Sequence, residues 1–318
     1  MQRLPRLSSL TAEDSGWGFF LCTYKELRAG RSGSEFLFLT LQDSTAQTVA
    51  KLLTDAERYK SEFEAGEFVR VEGRGSLYNG QIQLVLANIR RVNPDQDRQQ
   101  GFREDECVLS APRPIDEMWE ELKAQVAGVK RDHIRILLSR VLTDHESQLR
   151  TWPAAQTIHH AYRGGFLEHI TKMAEVGQFV AKAYQADWDL VLAGIVLHDI
   201  GKLQELACDA GAGSYTRDGN LVGHIALGII MVREAVSGIS GFPDDLRAQI
   251  EHIVASHHGV REYGSPVEPK TIEAFIVASV DDLDAKLNQV RRAIAEDPSE
   301  EEFTAWNKRL GRVLYKGK

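Results

Sequence analysis

Asp189-Leu190-Val191-Leu192-Ala193-Gly194-Ile195-Val196-Leu197-His198-Asp199-Ile200-Gly201-Lys202 holds an unbroken apolar run that ends in a histidine and an aspartate side by side. A segment apolar on every side is a buried helix rather than an amphipathic one. The run therefore predicts a buried helix, closed by Gly201 near its C-terminal end, that carries His198 and Asp199 to one interior point. An isolated His-Asp pair is most often a helix cap. Here every one of the ten histidines lies between His133 and His258 of a 318-residue chain, and random scatter would not do this.

Neutral imidazoles and carboxylates are the ligand types that hold divalent transition metals, with no thiolate needed. His169, His224, His257, His258 and Asp281 stand beside His198 and Asp199 as candidates. An adjacent His and Asp have a chemical use, because a carboxylate can bridge two cations while the neighbouring imidazole binds one. Two such cations activate water and steady a leaving oxygen, which points to hydrolysis of a phosphate ester.

The order His, His-Asp, His, His, Asp resembles that of HD-domain phosphohydrolases. It runs through Gly-Gly-Phe-Leu-Glu-His169, His198-Asp199, Gly-His224-Ile, Ser-His257-His258-Gly and Val-Asp281-Asp282-Leu283-Asp284. The resemblance implies one metal on His169, His198, Asp199 and Asp281. A second would share Asp199 and add His224 with His257, His258 or both. Asp282 and Asp284 compete with Asp281 within one helical turn, and Asp281 is preferred because it follows the apolar stretch Phe275 to Ala278 and matches the family position. Lys202, one turn after His198, is the candidate to contact a scissile phosphate, and His198, Asp199 and Lys202 form the expected catalytic group. Arg163 is a further phosphate candidate. His159 and His160 are read as reaching the site through water or packing beneath it, His252 as structural, and His133 and His145 as ordinary helix or surface residues.

The first 95 residues contain no histidine and alternate as strands do. Phe36 to Leu41 is one strand, Val69 and Val71 alternate with charged residues in another, and Ile82, Leu84 and Leu86 alternate in a third, with Tyr78-Asn79-Gly80 as the hairpin turn. Ala56 to Phe63 reads as a short helix. Five strands with a helix after the third resemble a small OB-type barrel, a module that binds single strands through aromatic stacking and basic groups. Trp17, Phe19, Phe36, Phe38 and Tyr78 are the stacking candidates, with Arg28, Arg31, Arg70 and Arg74 as phosphate contacts. Residues 96–112 read as a polar linker, and helices opening near Ile115 and Asp132 lead into the histidine-rich region. The expected organisation is multidomain, β plus all-α: an OB-like five-stranded barrel over 1–95, a linker over 96–112, and a mainly helical HD domain with its lead-in over 113–318.

Charge divides unevenly. Through Asp95 twelve Lys and Arg balance twelve Asp and Glu, so the net charge of −8 belongs to the remainder. A pI near 5.7 excludes a general polyanion binder, leaving a local groove and bound metals to hold nucleic acid. Three scattered cysteines indicate neither a disulfide framework nor a thiolate zinc site. Without a basic-then-apolar leader or a run of about 20 apolar residues, the sequence predicts a soluble cytoplasmic protein that meets no membrane.

Barrel, helical lead-in and HD domain in that order, with Pro153-Ala154-Ala155, His159 to His169 and Ser256 to Pro266, resemble the YhaM-type 3′-to-5′ exoribonuclease family over nearly the whole chain. The resemblance implies divalent metal, two ions per site, with Mn2+ favoured and Mg2+, Co2+, Fe2+ or Ni2+ as substitutes. It implies release of nucleoside 5′-monophosphates from single-stranded RNA, with single-stranded DNA as a second substrate, and leaves a homo-oligomer open. Two other readings stand beside it. One is a phosphohydrolase of free or cyclic nucleotides, although the Gly-Tyr-Pro triplet of the cyclic-dinucleotide branch is absent after His258. The other is a nucleic-acid-binding nucleotide sensor without catalysis.

Overall fold

The computed structural model describes residues 2–30, 34–154, 162–209, 212–297, 299–308 and 310–317. They form two compact units, and the chain passes from the first to the second after Ser110.

In the first unit β1 (Ser15–Ala29), β2 (Glu35–Gln42), β3 (Gln47–Leu52), β4 (Phe68–Tyr78) and β5 (Gln81–Arg91) close into a barrel of order β1-β2-β3-β5-β4, with α1 (Ala56–Tyr59) between β3 and β4. Only the β3–β5 pair is parallel. Period-two alternation decides which residues fill it: Leu37, Leu39 and Leu41 are buried, while Phe36, Phe38 and Thr40 between them are half-exposed. Asn79 and Gly80 both adopt positive φ, 49° and 77°, as a two-residue turn matched to strand twist requires. The helix expected over 56–63 stops at Tyr59, and Phe63 beyond it is fully buried in the barrel core.

Residues 94–108, polar in composition, lie against the barrel rather than hanging between units. After α2 (Pro94–Asp97), Phe102, Cys107 and Val108 pack with Phe19, Leu21 and Val92 in a second apolar cluster. Arg90 clamps Asp97 through two hydrogen bonds of 2.8 and 2.7 Å. Three buried apolar side chains among many Gln, Asp and Arg were too sparse to register as a pattern.

The second unit is helical: α3 (Ile115–Ala127), α4 (Asp132–Asp144), α5 (Glu146–Thr151), α6 (Gly165–Tyr184), α7 (Trp188–Leu197), α8 (Lys202–Glu205), α9 (Arg217–Val222), α10 (His224–Ser237), α11 (Asp244–Ser256) and α12 (Ile272–Glu296). A two-stranded sheet, β6 (Leu206–Asp209) with β7 (Ala212–Tyr215), interrupts it. As its sequence requires, α7 is buried from Asp189 to Leu197, and Asp187 caps it by accepting from the N–H groups of Asp189 and Leu190. Gly194 lets α11 and α12 close on α7, since a Cβ there would stand 2.7 Å from Ile253 Cγ2 and 2.9 Å from Val277 Cγ2. Burial of the α7 side chains contributes on the order of 1.5–3 kcal/mol for each large one, and it sets the end of the helix rigidly in the core. No helix among the described residues is long and apolar enough to cross a membrane.

Candidate metal centre

α7 ends at Leu197, and the turn that follows carries His198 and Asp199 into the interior, both buried. Gly201 is placed by a close approach rather than by a left-handed cap: its φ is −62°, and a Cβ on it would meet His224 O at 2.0 Å and Gly228 N at 2.5 Å. That contact presses the His-Asp turn against the first turn of α10, where His224 is the first residue. α6 contributes His169, α12 contributes Asp281, and His257 and His258 follow the last residue of α11.

These side chains form two adjoining clusters. Ligand atoms of His169, His198 and Asp281 lie within 4.8 Å of one another, as do those of His224, His257 and His258. Asp199 stands between them, its Oδ2 3.2 Å from His198 Nε2 and its Oδ1 3.4 and 3.5 Å from Nε2 of His224 and His257. Both His257 and His258 join the second cluster, so the structure keeps the pair that sequence reading left open.

Each of the five imidazoles has its Nδ1 against an oxygen. His198 meets Ile195 O at 2.8 Å, His257 meets Val254 O at 2.7 Å, and His258 meets Tyr263 O at 2.7 Å. His224 meets Glu205 Oε1 at 3.1 Å, and His169 meets Asp284 Oδ2 at 2.7 Å. Carbonyl and carboxylate oxygens only accept, so Nδ1 must carry a proton in each ring, and in His198, His224, His257 and His258 this leaves Nε2 to face the shared volume with its lone pair, whereas His169 Nε2 meets Asp281 Oδ1. Nε2 of His198, His224 and His257, with Asp199 Oδ1, are buried and make no hydrogen bond among the described residues. Leaving such atoms unsatisfied costs roughly 1–3 kcal/mol each. Five imidazoles with two carboxylates and no thiolate suit a divalent transition ion, so the residues present fit the metal implied by the sequence.

In the metal-free protein the electrostatics of the two clusters differ. Burial opposes a charge on His169, but hydrogen bonds to Asp281 and Asp284 outweigh it and lift the imidazole to about 9. Burial likewise opposes ionisation of Asp199, yet the Lys202 ammonium, with the His198 and His257 rings beside it, holds its carboxyl well below the usual range. Burial pushes the basicity of His257 and His258 down, which suits neutral ligands.

The three aspartates of α12 part company. Asp281 Oδ1 is 3.2 Å from His169 Nε2, Asp284 holds the other nitrogen of the same ring, and Asp282 turns outward to Lys286 Nζ at 2.7 Å. Lys202 is tied to Asp199, with Nζ 2.5 Å from Oδ2. Arg163 precedes α6 half-buried, its carbonyl accepting from Ala111 N–H at 2.9 Å. His252 accepts from Lys270 N–H at 2.9 Å, His133 lies edge-on to Phe242, and His145 meets Gln148, all away from the clusters. His159, His160 and Arg31 fall outside the described residues. Glu205, which also accepts from His224 N–H at 3.0 Å, escaped sequence reading; nothing local distinguishes it from a surface glutamate.

In the barrel the candidate contacts separate onto two faces. Phe38, Lys51, Val85 and Arg74 follow one another in register across β2, β3, β5 and β4. Phe38 meets Tyr24 edge-on and carries the Arg28 guanidinium 3.8 Å above its ring, while Lys51 Nζ sits 4.3 Å from the ring of Tyr78. Phe36 shares the outward side of β2 with Phe38. Trp17 and Arg70 lie instead beside the cluster covered by residues 102–108: Trp17 packs on Phe19, Arg70 stacks 4.9 Å from Trp17, and Arg70 pairs with Glu72 at 2.7 Å. Tyr24 and Lys51, which stand opposite Thr40 and Phe38, were missed; a register shift between Cys22 and Tyr24 sets the position of Tyr24, and strand alternation does not encode it.

The HD-domain family model matches residues 166–286, and a model described as an OB-fold nucleic acid binding domain matches residues 23–92. Among curated proteins, 3′-5′ exoribonuclease YhaM of Bacillus subtilis is 33% identical over 264 residues, covering 83% of this chain and 82% of that one. The protein of the same name from Halalkalibacterium halodurans is 32% identical over 278 residues, covering 87% and 85%. Among solved structures, the second OB-fold domain of replication protein A from Methanococcus maripaludis aligns with 29% of this chain and 96% of its own, at 18% identity and a TM-score of 0.24.

Proposed function

This chain belongs to the YhaM 3′-5′ exoribonuclease family, and from that premise we propose that it is a metal-dependent enzyme that shortens single-stranded RNA from its 3′ end to nucleoside 5′-monophosphates. The observation that carries the proposal is the set of five imidazoles with Nδ1 engaged outward and Nε2 turned onto one volume beside Asp199.

In this reading His169, His198 and Asp281 would hold one divalent ion and His224, His257 and His258 a second, with the Asp199 carboxylate available beside both groups. A nitrogen-rich donor set disfavours Mg2+ and binds Fe2+, Co2+ and Ni2+ at least as tightly as Mn2+, so the preference for Mn2+ rests on the family resemblance and not on the donors. Bound cations would supply Lewis acidity, acidifying a water and drawing charge from the phosphate and the departing 3′ oxygen. The protein orients the ligands: the Ile195, Val254 and Tyr263 carbonyls, Glu205 and Asp284 lock the five rings so that no reorganisation is needed when substrate arrives. Lys202 offsets the Asp199 charge and offers its ammonium to a phosphoryl oxygen. The outward face with Phe36, Phe38, Tyr78 and Arg74 holds the strand by stacking and charge, which tolerates any base sequence and admits single-stranded DNA as well as RNA.

The test is a time course with Mn2+ on 5′-labelled single-stranded RNA and its DNA counterpart, comparing wild type with Asp199→Asn. A ladder shortening from the 3′ end, absent in the variant, is expected, and the two substrates rank RNA against DNA. Intact RNA with metal-loaded wild type refutes the proposal.

A further inference from the structure

The volume shared by the two clusters opens on one side. His169, His198 and His257 are buried, whereas His224, His258 and Asp281 are half-buried, so a substrate meets the centre past the second cluster. The rings of His224 and His258 lie 5.3 Å apart between centroids, and each has exposed apolar side chains close to it in the chain. Leu221 and Val222, 74% and 46% exposed, end α9 just before His224, and Tyr263, 68% exposed, closes the 3₁₀ turn Arg261–Tyr263 after His258. The Tyr263 carbonyl accepts from His258 Nδ1 at 2.7 Å, which ties that turn to the cluster. The Lys286 ammonium is raised first by Asp282 and then by the Tyr263 phenol, which places the side chain along α12, the helix that carries Asp281.

Charges on this rim cancel. Exposed Arg217 stands beside Asp218, Arg261 beside Glu262, and Lys286 pairs with Asp282 at 2.7 Å. The Tyr263 ring makes no ring contact, and its hydroxyl no hydrogen bond, among the described residues. A free ring beside a hydrolytic centre, on a rim without net charge, suits the uncharged part of a nucleotide, since every base has a face to stack. When a 3′ end is shortened, the scissile phosphate is the 5′ phosphate of the terminal nucleotide. Its base therefore lies within one nucleotide of the metal clusters, where this rim stands.

We propose that Tyr263 stacks on the base of the 3′-terminal nucleotide, with Leu221 and Val222 confining it from the His224 side, and that this contact sets how deep the end sits in the centre. The proposal rests on the exoribonuclease reading given above. It assigns recognition of the terminal nucleotide to base stacking and leaves the phosphate to the metal ligands and Lys202.

The test compares two 5′-labelled RNAs of one sequence on the full-length protein with Mn2+, one ending in an ordinary nucleotide and one in a ribose without its base, and reads kcat/KM for the first linkage. Wild type is expected to cleave the base-bearing end about tenfold faster. Tyr263→Ala and Leu221→Gln should each shrink that ratio at least about threefold, and Tyr263→Phe should keep it. The ratio compares two substrates on one protein, so a change in metal content cancels from it, and the Tyr263 carbonyl that holds His258 remains in every variant. As a readout without turnover, RNA ending in 4-thiouridine should photo-crosslink in Asp199→Asn protein to the peptide that contains Tyr263. Equal rates at the two ends with wild type, a wild-type ratio in Tyr263→Ala, or crosslinks to other peptides alone each overturn the proposal. Wild type that cleaves neither RNA refutes the exoribonuclease reading itself, an outcome distinct from failure of the base contact.

Discussion

Asp284 Oδ2 lies 2.7 Å from His169 Nδ1, although 115 residues separate them in the chain, and it holds the imidazole with its Nε2 toward Asp281. Asp284 therefore acts on the centre through His169 as a positioning residue.

Replacing Asp284 with Ala should lower metal affinity about 10- to 100-fold, with activity largely restored at high metal concentration. Asp282→Ala, which removes only an exposed partner of Lys286, should leave both unchanged. Metal titration of the two variants separates these cases, and equal effects would refute the assigned roles.

Metal uptake should release protons at neutral pH. The folded protein without metal raises the His169 imidazole from 6.5 to about 9. A raised basic group contributes stability that is fully present below about 6.5 and is lost as pH rises through about 9. Metal-free protein should thus lose stability across that window, while metal affinity increases because the competing proton has gone. Calorimetry of metal binding at pH 7 in buffers of different ionisation enthalpy reads the protons directly; no buffer dependence would contradict the prediction.

Gly201→Ala should destabilise the helical unit by at least about 2 kcal/mol, because the added Cβ meets the backbone of α10 rather than a movable side chain. It should also disturb both clusters, since the same contact holds His224 near Asp199. Denaturant unfolding together with metal content tests this, and a variant with wild-type stability and metal content would show that the helices separate freely.

The two barrel faces should respond differently. Phe38→Ala is expected to weaken single-stranded RNA binding about tenfold with little change in stability. Trp17→Ala should cost about 2 kcal/mol of barrel stability and leave RNA affinity nearly intact, because Trp17 packs beside the cluster covered by residues 102–108. Binding and unfolding curves on the same two proteins decide it. The reverse pattern would move the strand to the other face.

Much of the site was legible from residue type and spacing. The run Leu190 to Leu197 dictated a buried helix because no face of it is polar, and it delivers His198 and Asp199 to the interior at its C-terminal end. Alternation in Phe36 to Leu41 dictated which residues fill the barrel. Both are local properties of the chain, set by backbone period and by the cost of leaving apolar surface in water.

Tertiary structure alone decided which way each ligand faces and what stands behind it. Asp281, Asp282 and Asp284 are the same residue type within one turn, and only the packing of α12 against α6 makes one a candidate ligand, one a positioning residue and one a surface partner of Lys286. Glu205 became the anchor of His224, and Gly201 a point of helix contact rather than a helix stop, because the α7–α8 turn meets the start of α10. Hydrogen bonds and close approaches join atoms distant along the chain, so no periodicity in the sequence encodes them. The sequence by itself determined the donor types and the elements that carry them; the packing of those elements determined the ring orientations that make the donors a centre.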